Sequence, residues 1–61
     1  MYEVVRIHLT GDVELLATYD DVDTAIVVAE TQYYIFNTII AVRNSELTKV
    51  YWLSPNARME G

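Results

Sequence analysis

Val13 to Asn37, VELLATYDDVDTAIVVAETQYYIFN, holds the junction that decides the fold. Its first seven residues are mostly apolar and end on a tyrosine, and they read as a strand, Val13 to Tyr19. Asp20-Asp21-Val22-Asp23 then starts a helix. An aspartate at the N-cap accepts a backbone N–H, and further acids in the first turn complement the helix dipole. Val22, Ala25, Ile26, Ala29, Tyr33 and Phe36 recur at helical spacing. They predict a helix from about Asp21 to Phe36 that lays this stripe on a sheet. Asn37 tolerates left-handed backbone and is the expected stop.

Upstream, Tyr2 to Thr10 reads as a strand built on Val4, Val5, Ile7 and Leu9. Thr10-Gly11-Asp12 is a turn, with Gly11 free to take positive φ. The short spacing makes the first two strands an antiparallel hairpin. Downstream, Thr38 to Arg43 (TIIAVR) is a third strand, Asn44 to Leu47 a turn, and Thr48 to Leu53 (TKVYWL) a fourth strand. Pro55 ends regular structure, and Ser54 to Gly61 reads as a tail. The expected architecture is one α+β domain over residues 1–54, in order ββαββ. It has a four-stranded antiparallel sheet with one helix on one face, and a C-terminal tail over 55–61. Strand order stays open. Val5, Ile7, Leu9, Val13, Leu15, Ala17, Ile40, Val42, Val50 and Trp52 are expected under the helix. Tyr2, Val4, Leu16, Ile39, Ala41, Tyr51 and Leu53 are expected on the far face.

Size and composition limit what such a domain can be. A chain of 61 residues buries only roughly 60% of the surface its unfolded form exposes. Small domains therefore lean on disulfides, a metal or a partner. There is no cysteine and one histidine, His8, which removes disulfides, thiolate sites and His-rich metal sites. At 52% hydrophobic, with two glycines and one proline, the chain is too apolar for a disordered segment. No apolar run approaches the ~18 residues of a membrane span, and MYEVVRIHLTGD does not read as a signal peptide. A cytoplasmic protein with no membrane association is expected.

The net charge is −5. Asp12, Glu14, Asp20, Asp21, Asp23 and Glu30 lie between positions 12 and 30 without one Lys or Arg among them; Arg6, Arg43, Lys49 and Arg58 lie outside. Direct nucleic-acid binding, which needs cations, is disfavoured. A basic partner would be attracted, although solubility alone also explains the charge. Apolar surface is in surplus. The helix carries Val27, Val28, Tyr34 and Ile35 away from its sheet-facing stripe, and one helix covers only one sheet face. Association follows, with a two-fold homodimer through the sheet face or the fourth-strand edge as the expected assembly.

The chemistry of catalysis is missing. Nucleophilic catalysis needs a Ser, Cys or Thr beside a base, and His8 sits on a strand with no motif around it. The strand-to-helix junction has no glycine and is acidic, which repels phosphate. Asp20, Asp21 and Asp23 lack the central glycine of a calcium loop and run straight into a helix. No catalytic, cofactor-binding or metal-binding residue is assigned, and an enzyme is not expected. The candidate partner contacts are Asp12, Glu14, Asp23, Glu30, Tyr34, Ile35 and Tyr51.

The strand opening at Met1 (MYEVVRIH), the acidic cap with its alanine-spaced helix (DDVDTAIVVAE) and the aromatic last strand (VYWLSP) together resemble the small phage-encoded orphan proteins of hairpin-helix-hairpin layout. The resemblance covers most of the chain and is one of pattern. It implies a protein, often an acidic dimer, that binds and blocks a host target: a defence nuclease or helicase, a CRISPR complex, a polymerase or a signalling nucleotide. It carries no functional residue over. The leading expectation is thus a non-enzymatic binding protein that inhibits or adapts a protein partner having a basic or apolar surface. The alternatives are a small-molecule or signalling-nucleotide sponge at a subunit interface, or a structural assembly subunit.

Overall fold

The computed structural model describes residues 1–58. In chain order it has β1 (Tyr2–Ile7), β2 (Val13–Tyr19), α1 (Val22–Phe36), β3 (Ile39–Asn44), β4 (Val50–Leu53) and a 3-10 turn, Pro55–Arg58. This is the ββαββ, α+β architecture expected from the sequence. The strand order, which the sequence left open, is β2-β1-β3-β4. Every neighbouring pair is antiparallel. The helix therefore carries the chain from the edge strand β2 across β1 to β3.

Local chemistry sets the boundaries. The Asp21 carboxylate accepts from the Thr24 N–H and from the Thr24 hydroxyl, both at 2.8 Å, and so caps α1. Asn37 takes φ 55° and donates its N–H to the Tyr33 carbonyl, which stops the helix as a left-handed residue does. In the first hairpin Gly11 has φ 96° and donates to the His8 carbonyl at 2.8 Å.

The buried centre consists of Val4, Ala25, Ala29, Ile40 and Val42. Ala25 and Ala29 have short side chains that let α1 approach β1 and β3. Tyr2, Leu16, Tyr19, Val22, Ile26, Val28, Tyr33, Tyr51 and Trp52 pack around that centre. The core is thus a small aliphatic middle with a mixed aromatic and aliphatic surround.

This arrangement reverses part of the expected facing. Ile40, Val42 and Trp52 lie under the helix as anticipated, and Ala17 stands opposite Val4. Val5, Ile7, Val13 and Leu15, expected under the helix, belong instead to the opposite register. Val50 pairs with Arg43 and is exposed, and Leu9 lies in the turn at 98% exposure. Conversely Tyr2, Val4, Leu16 and Tyr51, expected on the far face, pack with the helix-side core. So does Val28. Phe36, expected on the buried stripe, is half exposed.

Two causes account for the reversal. The β1 residues Tyr2, Val4 and Arg6 are less apolar than Val5 and Ile7, yet Arg6 lays its stem inward and its guanidinium carbon sits 5.0 Å from the Phe36 ring centroid. In addition, each edge strand carries a bulge. Val4 pairs with Ala17 and Val5 with Leu15, leaving Leu16 extra; Val42 pairs with Trp52 and Arg43 with Val50, leaving Tyr51 extra. An extra residue breaks the two-residue alternation that facing arguments use.

Regular structure does not end at Pro55 as expected. Ser54 is fully buried, and its N–H donates to the Ile40 carbonyl at 2.9 Å. The chain then makes one 3-10 turn against β3. Of the expected tail, 59–61 lies outside the described residues.

Candidate functional site

The far side of the sheet has no layer over it among the described residues. Its side chains fall into three rows across the strands. Leu15, Val5, Ala41 and Leu53 form a complete apolar row, and Val13, Ile7 and Ile39 form a second beside it. The third row holds Thr18, Glu3, Arg43 and Val50, where the Arg43 Nε donates to the Glu3 carboxylate at 2.9 Å. Val5 and Ala41 are buried by their neighbours, while Leu15 and Leu53 stand 55% and 40% exposed. These rows carry charge only as the Glu3–Arg43 pair, in a chain of net charge −5.

A second surface is the outer side of α1. Asp23, Val27, Glu30 and Tyr34 follow one another at helical spacing of four, three and four, which puts them on one stripe, and Ile35 adjoins it. All five are exposed, Tyr34 at 84%. Tyr33 leans on Tyr34 with ring centroids 5.8 Å apart.

The candidate contacts named from the sequence divide between these places. Asp23, Glu30, Tyr34 and Ile35 do come together on the helix stripe. Asp12 lies apart in the first hairpin turn, held by the Thr10 hydroxyl at 3.2 Å. Glu14 is on β2 and is already partnered: it accepts from Arg6 at 3.4 Å and faces His8 Nε2 at 3.0 Å. Tyr51 is half buried, edge-on to Tyr2 at 5.1 Å, with the Lys49 ammonium over its ring. It therefore belongs to the core side of the sheet. The acidic half of the sequence does not fold into one acidic face.

Among the described residues, one carboxylate has a clearly shifted proton affinity. The Thr24 N–H, and then the Thr24 hydroxyl, hold the Asp21 carboxyl below the usual aspartate range, against a small opposing effect of desolvation. This is the signature of a cap, as the sequence suggested.

A half-open cavity of about 380 Å3 lies where β1 ends and β3 begins, lined by Arg6 to Leu9, Asn37 to Ile39, and Asn56. It was not foreseeable from the sequence, because three separated segments supply it and no motif joins them. The uncovered apolar rows were visible in the sequence as Val5, Ile7, Val13 and Leu15, but assigned to the other side. Among the described residues, no group of three or more His, Cys, Asp or Glu is placed to hold a metal ion, and no helix is long and apolar enough to cross a membrane.

Comparison with protein-family models, curated proteins and solved structures finds no match for the chain. The functional reading therefore rests on these surfaces.

Proposed function

We propose that this chain is a small, acidic, non-enzymatic binding protein that pairs with a second copy of itself through the uncovered sheet face. The pair presents the outer stripe of α1, from Asp23 to Tyr34 and Ile35, to a protein partner that it inhibits or adapts. Its resemblance to phage orphan proteins favours a component of a host defence system as that partner, met in the host cytoplasm.

The carrying observation is that β1 turns its more apolar side, Val5 and Ile7, away from α1. Apolar surface of this kind favours association. A second copy is the occupant that fits best. The face is neutral, so two molecules of charge −5 can meet there without opposing unpaired charges. Four strands about 4.8 Å apart and about six residues long make a face of roughly 400 Å2, which sets a contact at the small end of specific interfaces. A face that meets its own copy around a two-fold axis closes the assembly at two.

Light scattering after size exclusion, over a concentration series, tests the pairing. A mass of two chains is expected throughout the micromolar range. A single-chain mass at every concentration would overturn it.

A further inference from the structure

We propose that Glu3 and Arg43 fix how two copies pair: the two-fold axis runs along the strands, between β1 and β3, and each Glu3 lies over Arg43 of the other copy. This rests on pairing through the uncovered sheet face, and adds the residues that orient that pair and select its partner.

The strand order is β2-β1-β3-β4, so the midline of the face falls between β1 and β3. Across that midline the far-side residues stand in register: Glu3 beside Arg43, Val5 beside Ala41, Ile7 beside Ile39. A half-turn about an axis along the midline exchanges the two members of each couple. It sets Glu3 over Arg43 of the other copy, twice, and Ile7 over Ile39 of the other copy, twice. Leu15 then meets Leu53, because these two end the same row on opposite edges.

The other aligned way to stack two sheets turns one copy about an axis across the strands. Through the middle row, that axis lays Glu3 and Arg43 on Ile7 and Ile39. An ion pair is then shut against aliphatic side chains, and its desolvation goes uncompensated. Through the charged row, it lays Glu3 on Glu3 and Arg43 on Arg43, which repel. Of the three, the axis along the strands alone puts opposite charges together and apolar rows together.

The ion pair has capacity left for a second partner. The Arg43 Nε donates to one Glu3 oxygen at 2.9 Å. A guanidinium has five N–H donors and a carboxylate two accepting oxygens. Among the described residues neither group makes another side-chain hydrogen bond. The Arg43 and Glu3 side chains stay 28% and 18% exposed, so both can be reached from outside the sheet. Pairing joins the two ion pairs into a ring of four alternating charges, with the free side of each arginine fork turned to a carboxylate. A foreign apolar surface brings no charges to that place and leaves the ring open, so the ring discriminates in favour of a second copy.

Charge reversal, read as solution mass by light scattering, tests the orientation. Glu3→Arg alone makes the ring all positive, and Arg43→Glu alone makes it all negative. Each is expected to weaken pairing by about a hundredfold or more, and to run as single chains at micromolar concentration. An equimolar mixture of the two variants is expected to recover the mass of two chains, one of each kind. The double variant carrying both changes is expected to pair with itself. Either single variant pairing as wild type does, or a mixture that stays single-chain, would overturn the orientation while wild-type pairing stands. A single-chain wild type would overturn the pairing, and the orientation with it.

A second readout leaves Glu3 and Arg43 untouched and guards against misfolding of the reversed variants. Leu15 and Leu53 are exposed and the chain has no cysteine, so Leu15→Cys and Leu53→Cys can be joined by a short bis-maleimide without competition. At about 4.8 Å per strand, Leu15 and its own copy lie about 14 Å apart sideways in this arrangement, while Leu15 and Leu53 face each other. A link is expected in the mixture of the two variants and in neither alone. Leu15→Cys linked to itself, or no link in the mixture, would overturn the proposal.

Discussion

Ser54 completes both backbone hydrogen bonds of Ile40. Its N–H donates to the Ile40 carbonyl at 2.9 Å, and its hydroxyl oxygen accepts from the Ile40 N–H at 3.0 Å. A side-chain oxygen thus stands in for the next backbone carbonyl of β4, just before Pro55, which has no N–H to donate. The hydroxyl hydrogen is taken in turn by Asn56. Ser54 and Ile40 are both fully buried. Ser54→Ala strands the Ile40 N–H in the core and should cost about 1–3 kcal/mol. Denaturant unfolding measures the loss, and hydrogen exchange should show the Ile40 amide opening faster than its neighbours.

The cap at Asp21 gives a pH dependence whose sign is fixed. Its folded-state pKa is lowered, chiefly by the Thr24 N–H. The carboxylate form is thus favoured by folding. Its contribution is present above the unfolded pKa of an aspartate and is lost as pH falls through the lowered folded value. Asn caps as well as Asp without titrating. In thermal melts from about pH 5 to about pH 2, wild type should lose stability relative to Asp21→Asn. Parallel acid slopes for the two proteins would remove Asp21 from the acid response.

Gly11 is required for its backbone and not for space. A Cβ added there meets nothing within 4 Å, yet φ is 96°. Gly11→Ala should cost about 1 kcal/mol, from left-handed backbone strain alone. Gly11→Asn should cost less, since Asn tolerates such a backbone. Chemical denaturation of the two variants ranks them, and equal losses would point to a steric cause.

The sheet face is testable without touching the core. Leu15→Lys and Leu53→Lys alter residues that are already substantially exposed, so each should change single-chain stability by no more than about 0.5 kcal/mol. Two lysines per chain facing their copies should split the pair into single chains, as read by light scattering. Paired variants that keep the mass of two would place the contact elsewhere.

The order of elements was legible because its signals are local. Asp21, Asn37 and Gly11 each act on the backbone within a few residues, and the spacing of Val22, Ala25 and Ala29 needs only the helix itself. The facing of β1 was not legible. Val5 and Ile7 look like core, and Val4 and Arg6 look like a solvated edge. The choice between them depends on Phe36 and Glu14, which meet Arg6 from 30 and 8 positions away. The bulges at Leu16 and Tyr51 leave no mark in composition. Of the candidate contacts, Asp23, Glu30 and Tyr34 share a helix stripe because their spacing puts them there, while Glu14 reads as free because its partners lie across the hairpin. Ser54 reads as tail because nothing in SPNAR shows that a hydroxyl is replacing a carbonyl.

The two bulges also govern how copies can accumulate. A sheet has two edges, and a chain that offered both for pairing would add copies without end, growing a ribbon. Here each free edge belongs to a bulged strand, β2 at Leu16 and β4 at Tyr51, and the local distortion spoils a straight template for another strand. What stays regular is the broad side, and among the described residues one such side is uncovered. Growth by edges is discouraged at both ends, and in the proposed pair growth by faces would stop after one step. The same irregularity that hides the facing of the strands from the sequence therefore works against ribbon growth along either edge.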